Sequence, residues 1–318
     1  MSADYRRVGP LRWPTLFFWA TLWLMVQRVF YGGQAVLEGV MMRGRTSMAV
    51  AVRAPSGNIV VHAEPLPKTI YSGWVAKTPF IRGLTMLWDT LGLGMKALMF
   101  SADVAVEEET AQLPKSVAWG SVAMALLLGV GIFFVTPVFI AGLAEQWLQS
   151  WWWAHIIEGV VRLGLFIGYV SLIGLFPDIK RVYMYHGAEH MTIHAFEHQD
   201  PLVPDEIRKY PTAHPRCGTA FLILIVGISI VVFAMVPATD LIMRALSRIV
   251  LIPLIAGVAY EILKLGGAYP DHPLMKIIIA PGLLVQAITT KQPDSDQIEV
   301  AVAAFEAMRN NEAETATA

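Results

Sequence analysis

The sequence predicts a mainly α-helical, polytopic transmembrane protein with a small β-hairpin and helix elaboration on the cytoplasmic side. Two observations support this fold class. The 318 residues are 55% apolar and only 15% charged, whereas soluble domains carry about 25% charged residues. The apolar residues also concentrate in runs of about 20, the length that a helix needs to cross a bilayer. An ordinary soluble enzyme is excluded, because so few charges cannot cover a water-facing surface.

Four apolar stretches predict firm membrane spans, at residues 117–143, 156–176, 218–237 and 249–265. A fifth apolar run, at 14–31, could span the membrane or lie in its interface. A sixth run, at 277–288, is short and holds Pro281 and Gly282 in its middle. It is predicted to be re-entrant or interfacial, because a dozen residues do not cross the hydrocarbon core.

Loop charges predict the orientation. The loops on one side of the four spans carry sixteen Lys and Arg residues, and those on the other side carry two. Because cytoplasmic loops carry the excess of positive charge, we expect a multi-pass inner-membrane (plasma-membrane) protein with cytoplasmic soluble parts. Its expected partner is the lipid bilayer; the net charge of −1 gives no basis for a nucleic-acid partner. The predicted regions are an N-terminal apolar segment (1–31), a hairpin and amphipathic-helix region (32–115), a transmembrane domain (116–290) holding a His-rich cytoplasmic segment (178–217), and a C-terminal helix and tail (291–318).

The segments outside the spans carry their own patterns. Residues 47–53 alternate, with Val50 and Val52 on one face, and the apolar run 59–61 returns after a Pro-Ser-Gly-Asn turn. This pattern predicts a β-hairpin over 47–64. Residues 79–104 follow a helical pattern with one apolar stripe, and we expect this helix to lie on the membrane or on the spans. Residues 296–309 predict an amphipathic helix, and the last few residues after it are expected to be disordered.

The most specific chemical signal is a histidine-rich segment. His186, Glu189 and His190 form an H-x-x-E-H pattern, the inverted zincin arrangement in which two histidines bind zinc and the glutamate activates water. On a helix, residues four apart face the same way and can hold one ion. Glu189 is therefore the candidate catalytic base. The alternative interpretation is an ordinary polar helix.

The same spacing recurs at His194, Glu197 and His198. All six potential ligands then lie on one helix of about thirteen residues, about 18 Å long. The two ends of such a helix cannot serve one ion without a bend. The sequence therefore leaves open one site near His186 and His190, or two sites side by side.

Further ligands are expected from His214 and Cys217, which form an H-x-x-C pair before the third predicted span. Pro215 places His214 on a turn, and Cys217, the only cysteine in the sequence, falls near a helix start, where the helix dipole favours a thiolate. With His186 and His190 these residues make a mixed nitrogen and sulfur set that suits zinc, with iron as the alternative. Four ligands would close the site, and three would leave room for water.

The motifs resemble those of a known family. The segments 32–44 (GGQAVLEGVMMRG), 186–190 (HGAEH) and 214–219 (HPRCGT), with the closing segment 281–301, are similar to the signatures of the YqhQ-like bacterial integral membrane proteins. The resemblance runs from about Gly32 to about Arg309. It implies a membrane protein of a family without an established function, whose members are labelled as metal-dependent enzymes. The motif residues carried over are Glu38, Arg43, His186, Glu189, His190, His214 and Cys217.

Two further features leave alternatives open. Glu38, in a Gly-flanked segment followed by Arg43, could complete the metal shell or form a surface Glu–Arg pair on a turn. Within the spans, Glu158 and Arg162 are four residues apart and can pair with each other. Such intramembrane charges either snorkel to the interface or line a polar path.

Three functions follow as hypotheses. The first is a membrane-embedded metal-dependent hydrolase in which Glu189 activates water. The second is a non-catalytic scaffold whose metal holds the cytoplasmic segment to the spans. The third and weakest is a transporter, based on the interrupted segment at 277–288 and the intramembrane charges. The sequence does not identify the substrate, a protein partner or an oligomeric state.

Overall fold

The computed structural model describes residues 31–68, 73–105, 115–236, 240–269 and 272–317. Apart from Tyr31, the N-terminal apolar run at 14–31 lies outside the described residues. The chain from Tyr31 onward forms one compact unit.

The described residues contain one four-stranded antiparallel sheet in the order β1-β2-β3-β4. Its strands are β1 (Gly32–Val36), β2 (Gly39–Arg43), β3 (Ser47–Arg53) and β4 (Ile59–Pro65). The predicted hairpin is confirmed as β3–β4, with Arg53 opposite Ile59. In its turn the N–H of Ala54 donates to the carbonyl of Asn58 and the N–H of Gly57 donates to the carbonyl of Ala54. Gly57 has φ +88°, a conformation that glycine adopts without a Cβ penalty.

The hairpin β1–β2 was not predicted. It pairs Gly32 with Arg43 and closes at Val36 and Gly39, with Glu38 in the turn at φ +49°. The irregularly spaced glycines of this segment hide its alternation, and a non-glycine residue at positive φ is an uncommon turn residue. The segment that looked like a Gly-rich turn is therefore half of the sheet.

Helices follow the sheet along the chain, and a π-helical turn at Gly131–Val135 joins α3 to α4. Their bounds are α1 (Trp74–Lys77), α2 (Ile81–Ala105), α3 (Lys115–Val130), α4 (Thr136–Leu148), α5 (Trp151–Ile173), α6 (Pro177–Glu197), α7 (Pro204–Ile207), α8 (Gly218–Ala234), α9 (Leu241–Val250), α10 (Ile252–Ala268), α11 (Pro273–Thr289) and α12 (Ser295–Thr317).

Two helices of the described chain are long and apolar enough to cross a membrane, Trp119–Leu148 and Trp152–Ile173. They confirm two of the four predicted spans. The third is the 17-residue helix α8, which is apolar but shorter. The fourth predicted span corresponds to α10. Helices α9 and α10 are bent by 41° relative to each other, and the two together are long and apolar enough to count as one further span. The described residues thus support two spans, or three with the bent pair.

Helix α11 contains the interrupted segment predicted to be re-entrant or interfacial. It continues through Pro281 as a 17-residue apolar helix. Gly282 permits this packing, because a Cβ there would lie 2.7 Å from the Cβ of Ala220 on α8. Helices α8 and α11 therefore pack at close range.

The sheet has a helical layer on each face, because alternate strand residues point to opposite faces. Val40, Met42 and Ala49 share a core with α6 and α12. The other face, which includes Met41 and Val50, packs against the C-terminal half of α2. Helix α6 is thereby fixed against the sheet and α12.

The C-terminal helix is longer than predicted. It begins at Ser295 and continues to Thr317, so the expectation of disorder after residue 309 is wrong for the residues described. The carboxylate of Glu312 accepts a hydrogen bond from the backbone N–H of Thr46, at 2.9 Å, in the β2–β3 turn. This tertiary contact holds a segment whose composition alone indicates a free tail.

Two charged residues inside the apolar helix α5 are buried instead of snorkelling outward. Glu158 and Arg162 are 2% and 4% exposed and pair at 2.8 Å. Arg248 of α9, which is fully buried, also pairs with Glu158 at 2.8 Å. One carboxylate therefore binds two guanidinium groups, and its pair with Arg248 joins α5 to α9.

Candidate metal centre

Helix α6 carries the first part of the centre. Pro177 occupies its first turn, where a missing N–H leaves no hydrogen bond unmade. As predicted, one helix carries His186, Glu189 and His190. Glu189 and His190 are buried, and His186 is half-buried. The two imidazole rings lie 4.4 Å apart between centroids.

Cys217 completes a group of three candidate ligands. Its Sγ lies 3.1 Å from Nε2 of His186. One donor atom each from His186, His190 and Cys217 falls within 4.8 Å of the others. Two imidazole nitrogens and one sulfur are ligands that zinc accepts in a tetrahedral site with a fourth, open position.

Backbone carbonyls fix the orientation of both imidazoles. Nδ1 of His186 lies 2.9 Å from the carbonyl oxygen of Thr289, and Nδ1 of His190 lies 2.6 Å from that of Thr212. A carbonyl oxygen can only accept, so Nδ1 donates in each case, and Nε2 keeps its lone pair toward Cys217. Metal-binding histidines show this pattern, in which the second ring nitrogen donates to a carbonyl or carboxylate. Among the described residues, Nε2 of His190 is a buried atom without a hydrogen-bond partner.

The thiol of Cys217 is set for ionisation. Cys217 is the N-cap of α8, as the sequence predicted, and its sulfur accepts a hydrogen bond from the N–H of Thr219 at 3.3 Å. Burial by itself would raise the pKa of this thiol. The neighbouring His190 and the hydrogen bonds with Thr219 outweigh burial, and the pKa is lowered. A thiolate is the form that binds metal.

Glu189 lies beside the three ligands with a protonation state set by burial. It is 4% exposed, and burial raises its pKa to about 8 against the opposing effect of His186. Within the described part of the chain, its Oε2 has no hydrogen-bond partner. A Cβ at Gly33 of β1 would lie 3.0 Å from the carboxyl carbon of Glu189. The absent side chain at Gly33 thus lets the sheet pack against the carboxyl group.

The frame around the centre comes from α11 and the residues after it. The buried side chain of Gln286 accepts from the N–H of His214 at 2.7 Å and donates to its carbonyl at 3.0 Å. A Cβ at Gly187 would overlap the carbonyl oxygen of Lys291. These contacts fix the loop that carries Thr212 and leave no space for a side chain at Gly187.

His214, the fourth predicted ligand, lies in a second group. Its ring is 5.6 Å from that of His190 and 4.6 Å from that of His194. The donor atoms of His194, Glu197 and His214 lie within 4.8 Å of one another. Burial lowers the pKa of both histidines to about 4, so both are neutral at pH 7. The described residues therefore contain two neighbouring groups of candidate ligands, as the two-site alternative predicts.

The side chain of Arg216 lies against the second group of candidate ligands. The guanidinium of Arg216 forms an ion pair with Glu197. The backbone N–H of Arg216 donates to Nδ1 of His214, at 3.3 Å. Because a positive charge lies on the only carboxylate of this group, the first group is the better metal site. Arg216 was not singled out from the sequence, although it lies inside the H-P-R-C motif.

Three of the additional candidates lie outside both groups. Glu38 binds Arg181 through two contacts of 2.5 Å and accepts from the hydroxyl of Tyr185 at 3.2 Å. Hydrogen bonds from Arg181 lower the pKa of Glu38. Arg43 pairs with Asp89 at 2.9 Å. The turn pair between Glu38 and Arg43 is therefore not formed, and Glu38 pairs with Arg181 of α6 instead.

His198 is the third additional candidate outside the groups. It is exposed, and its Nδ1 donates to the carbonyl of His194 at 2.8 Å. Its ring packs against Tyr210, with centroids 5.0 Å apart. His198 therefore lies just after the C-terminal end of α6 and is part of neither group of candidate ligands.

The fold and this centre define a helical protein that combines apolar helices of membrane-spanning length with a His–Cys cluster beside them. The chain belongs to the family described as "Protein of unknown function (DUF1385)", which matches residues 78–311. It is 33% identical over 296 residues to "Uncharacterized protein YqhQ" of Bacillus subtilis (strain 168), covering 89% of this chain and 93% of that protein. The resemblance to YqhQ-like proteins is confirmed. No solved structure matches the chain.

Proposed function

We propose that this protein is a metal-dependent hydrolase of the membrane boundary, with a divalent ion held by His186, His190 and Cys217. One observation carries the proposal: both imidazoles donate Nδ1–H to backbone carbonyls and direct Nε2 toward the same buried sulfur. A polar surface helix would not need two carbonyl acceptors from separate segments, one at the end of α11 and one in the loop before α8. Zinc is the expected ion for this mixed set, and iron is the alternative.

Each residue around the proposed ion would have its own role in the reaction. A divalent ion in this site would supply Lewis acidity to water or to a substrate carbonyl. Glu189 places a carboxyl oxygen beside the ligands, and burial raises its pKa to about 8. A divalent cation bound next to it would lower this pKa and favour the ionised carboxylate that a general base requires. His186 and His190 keep their orientation through Thr289 and Thr212. The reaction class that fits is hydrolysis, with Glu189 as general base.

The membrane setting supports the same proposal. We propose that α8 and the bent pair α9–α10 cross the bilayer together with the two long apolar helices, giving four crossings. The excess of Lys and Arg outside these helices supports a His-rich segment on the cytoplasmic side of the inner membrane. The ligand Cys217 lies at the first turn of α8. The substrate would therefore approach at the level where helix and lipid surface meet.

A structural metal is the second candidate function. The observation that favours it is the distance of 5.6 Å between the ring centres of His190 and His214, which keeps His214 next to the first group as a candidate fourth ligand. A closed site would staple the loop to α6 and α8 without catalysis. The observation that favours a transporter is the buried charge of Glu158. Among the described residues, its ion pair with Arg248 accounts for that charge as a link between α5 and α9.

The first experiment measures metal content by elemental mass spectrometry on the full chain purified in detergent. We expect about one zinc or iron per chain, lost in a His186→Ala/His190→Ala variant. His198→Ala is the matched control, because His198 lies on the same helix outside both groups. Folded protein without metal, even after incubation with zinc, would refute the site.

A second experiment separates catalysis from a structural role. Cobalt replaces zinc and reports its coordination through visible absorption. Adding a hydroxamate should change this spectrum if one position is open, and should leave it unchanged if His214 closes the shell. Glu189→Gln should retain cobalt and the fold. If Glu189→Gln releases the metal, the carboxylate is a ligand and its role as base is wrong.

A further inference from the structure

Helix α2 presents an apolar face that the rest of the described chain does not cover. Leu84, Trp88, Leu91 and Leu98 are 40%, 71%, 57% and 38% exposed. With the half-buried Met95 they follow alternating spacings of four and three, so they form one continuous stripe. In a water-facing helix this side would carry the charges.

The charges of α2 lie on the other side. Arg82, Asp89, Lys96 and Asp103 recur every seven residues, which places them on one line roughly opposite the apolar stripe. The first three form ion pairs with other parts of the protein, namely with Glu261, Arg43 and Glu64 respectively. The helix therefore turns its charges toward protein and its large apolar side chains outward.

Its neighbours place α2 between the membrane helices and the sheet. Near its start, a Cβ at Gly83 would lie 2.8 Å from the Cα of Gly257 on α10, so the two helices touch closely. Near its end, Ala97 and Phe100 pack under the sheet. The exposed stripe thus continues from an apolar helix of the bent pair toward the polar part of the fold.

Helix α9 shows the same inverted arrangement independently. Arg244 and Arg248 are buried and pair with Glu145 and Glu158. On its outer side Ile242, Met243, Leu246, Ile249 and Val250 are 49% to 73% exposed. Two separate helices outside the long spans therefore place arginine inside and apolar side chains outside, as expected where the surrounding medium is lipid.

We propose that the lipid bilayer covers the exposed stripe of α2, which lies in the membrane interface from Leu84 to Leu98. The stripe would enter the boundary between headgroups and acyl chains. The charges on the other side of α2 would keep their ion pairs with the protein. Gly94 of α2 lies against Gln34 of β1, and the adjacent Gly33 lies against Glu189. The membrane surface would then support the strand next to the candidate centre, whether or not that centre binds metal.

The test uses the full chain reconstituted in vesicles of phosphatidylethanolamine and phosphatidylglycerol. A nitroxide is attached at Leu91→Cys and, as control, at Val61→Cys on the exposed strand β4. Collision with oxygen, which partitions into lipid, is compared with collision with a water-soluble nickel chelate. Wild-type protein gives the background from the buried Cys217.

We expect the ratio of oxygen to nickel collisions to be higher at Leu91 than at Val61. Equal nickel access at both positions would place the stripe in water and overturn the proposal. Protection of Leu91 from both reagents would also overturn it, because a protein surface such as a second copy would then be the occupant. Leu98→Cys repeats the measurement if Leu91→Cys does not fold.

Discussion

Removal of Glu158 is expected to destabilise the membrane part of the protein strongly. Glu158 accepts three hydrogen bonds at 2.8 to 3.0 Å, one from Arg162 and two from Arg248. All three side chains are at most 4% exposed. In Glu158→Ala, two guanidinium groups stay buried without their shared counter-charge.

The magnitude follows from the cost of an uncompensated buried charge. Removing one partner of a buried ion pair costs about 3–5 kcal/mol. The loss is not doubled for two arginines, because both guanidinium groups also lie over the ring of Phe233, at 4.5 and 5.0 Å from its centre. We therefore expect about 3–5 kcal/mol for Glu158→Ala. Glu158→Gln also removes the counter-charge but keeps an acceptor oxygen, so it should destabilise the protein less than Glu158→Ala does.

The assay is unfolding in mixed micelles by titration with sodium dodecyl sulfate, followed by circular dichroism. The control is Glu206→Ala, which removes an exposed pair with Lys209 and should change the free energy of unfolding by no more than about 0.5 kcal/mol. Adding Arg248→Met to Glu158→Ala should recover part of the loss, since one stranded cation is removed. If Glu158→Ala unfolds like the control, the buried network does not join α5 and α9.

Two further predictions concern the frame of the centre. Gly187→Ala should destabilise the protein by about 1–3 kcal/mol, because its Cβ would overlap the carbonyl of Lys291; Gly168→Ala, with open space around it, is the control in the same unfolding assay, and equal effects would contradict the packing. Arg181→Ala should cost about 1 kcal/mol at pH 7, because it removes the partner of Glu38. The pKa of Glu38 is lowered in the folded state, so this contribution is present above about pH 4.5 and is lost as the pH falls through the folded pKa. Unfolding curves of wild type and Arg181→Ala should therefore converge in acid, and a constant gap would count against the pair.

The proposed lipid-covered stripe of α2 is connected to the candidate centre through packed elements of the fold. Helix α2 packs on α10 at its start and under the sheet at its end. The sheet in turn contacts α6, which carries His186 and His190. Any movement of α2 in the membrane interface would reach the centre through rigid layers. This arrangement suits a protein that acts at the membrane surface.

Local rules in the sequence determined much of this protein. The helical period alone places His186 and His190 on one face, since residues four apart are neighbours in any α-helix. Pro215 and the apolar run after it are enough to put Cys217 at a helix start. Runs of apolar residues identify the two long spans. These features depend only on residues close together in the chain.

Tertiary structure decided the features that depend on distant partners. Which carbonyls orient the imidazoles, and that His214 lies beside His194, follow from the packing of α11 against the loop before α8. Glu38 meets Arg181 instead of Arg43, because the turn of β1–β2 lies over α6, 143 residues further along the chain. A local sequence pattern predicts on which face of a helix or strand a side chain lies. Only the tertiary packing determines which residues that face contacts.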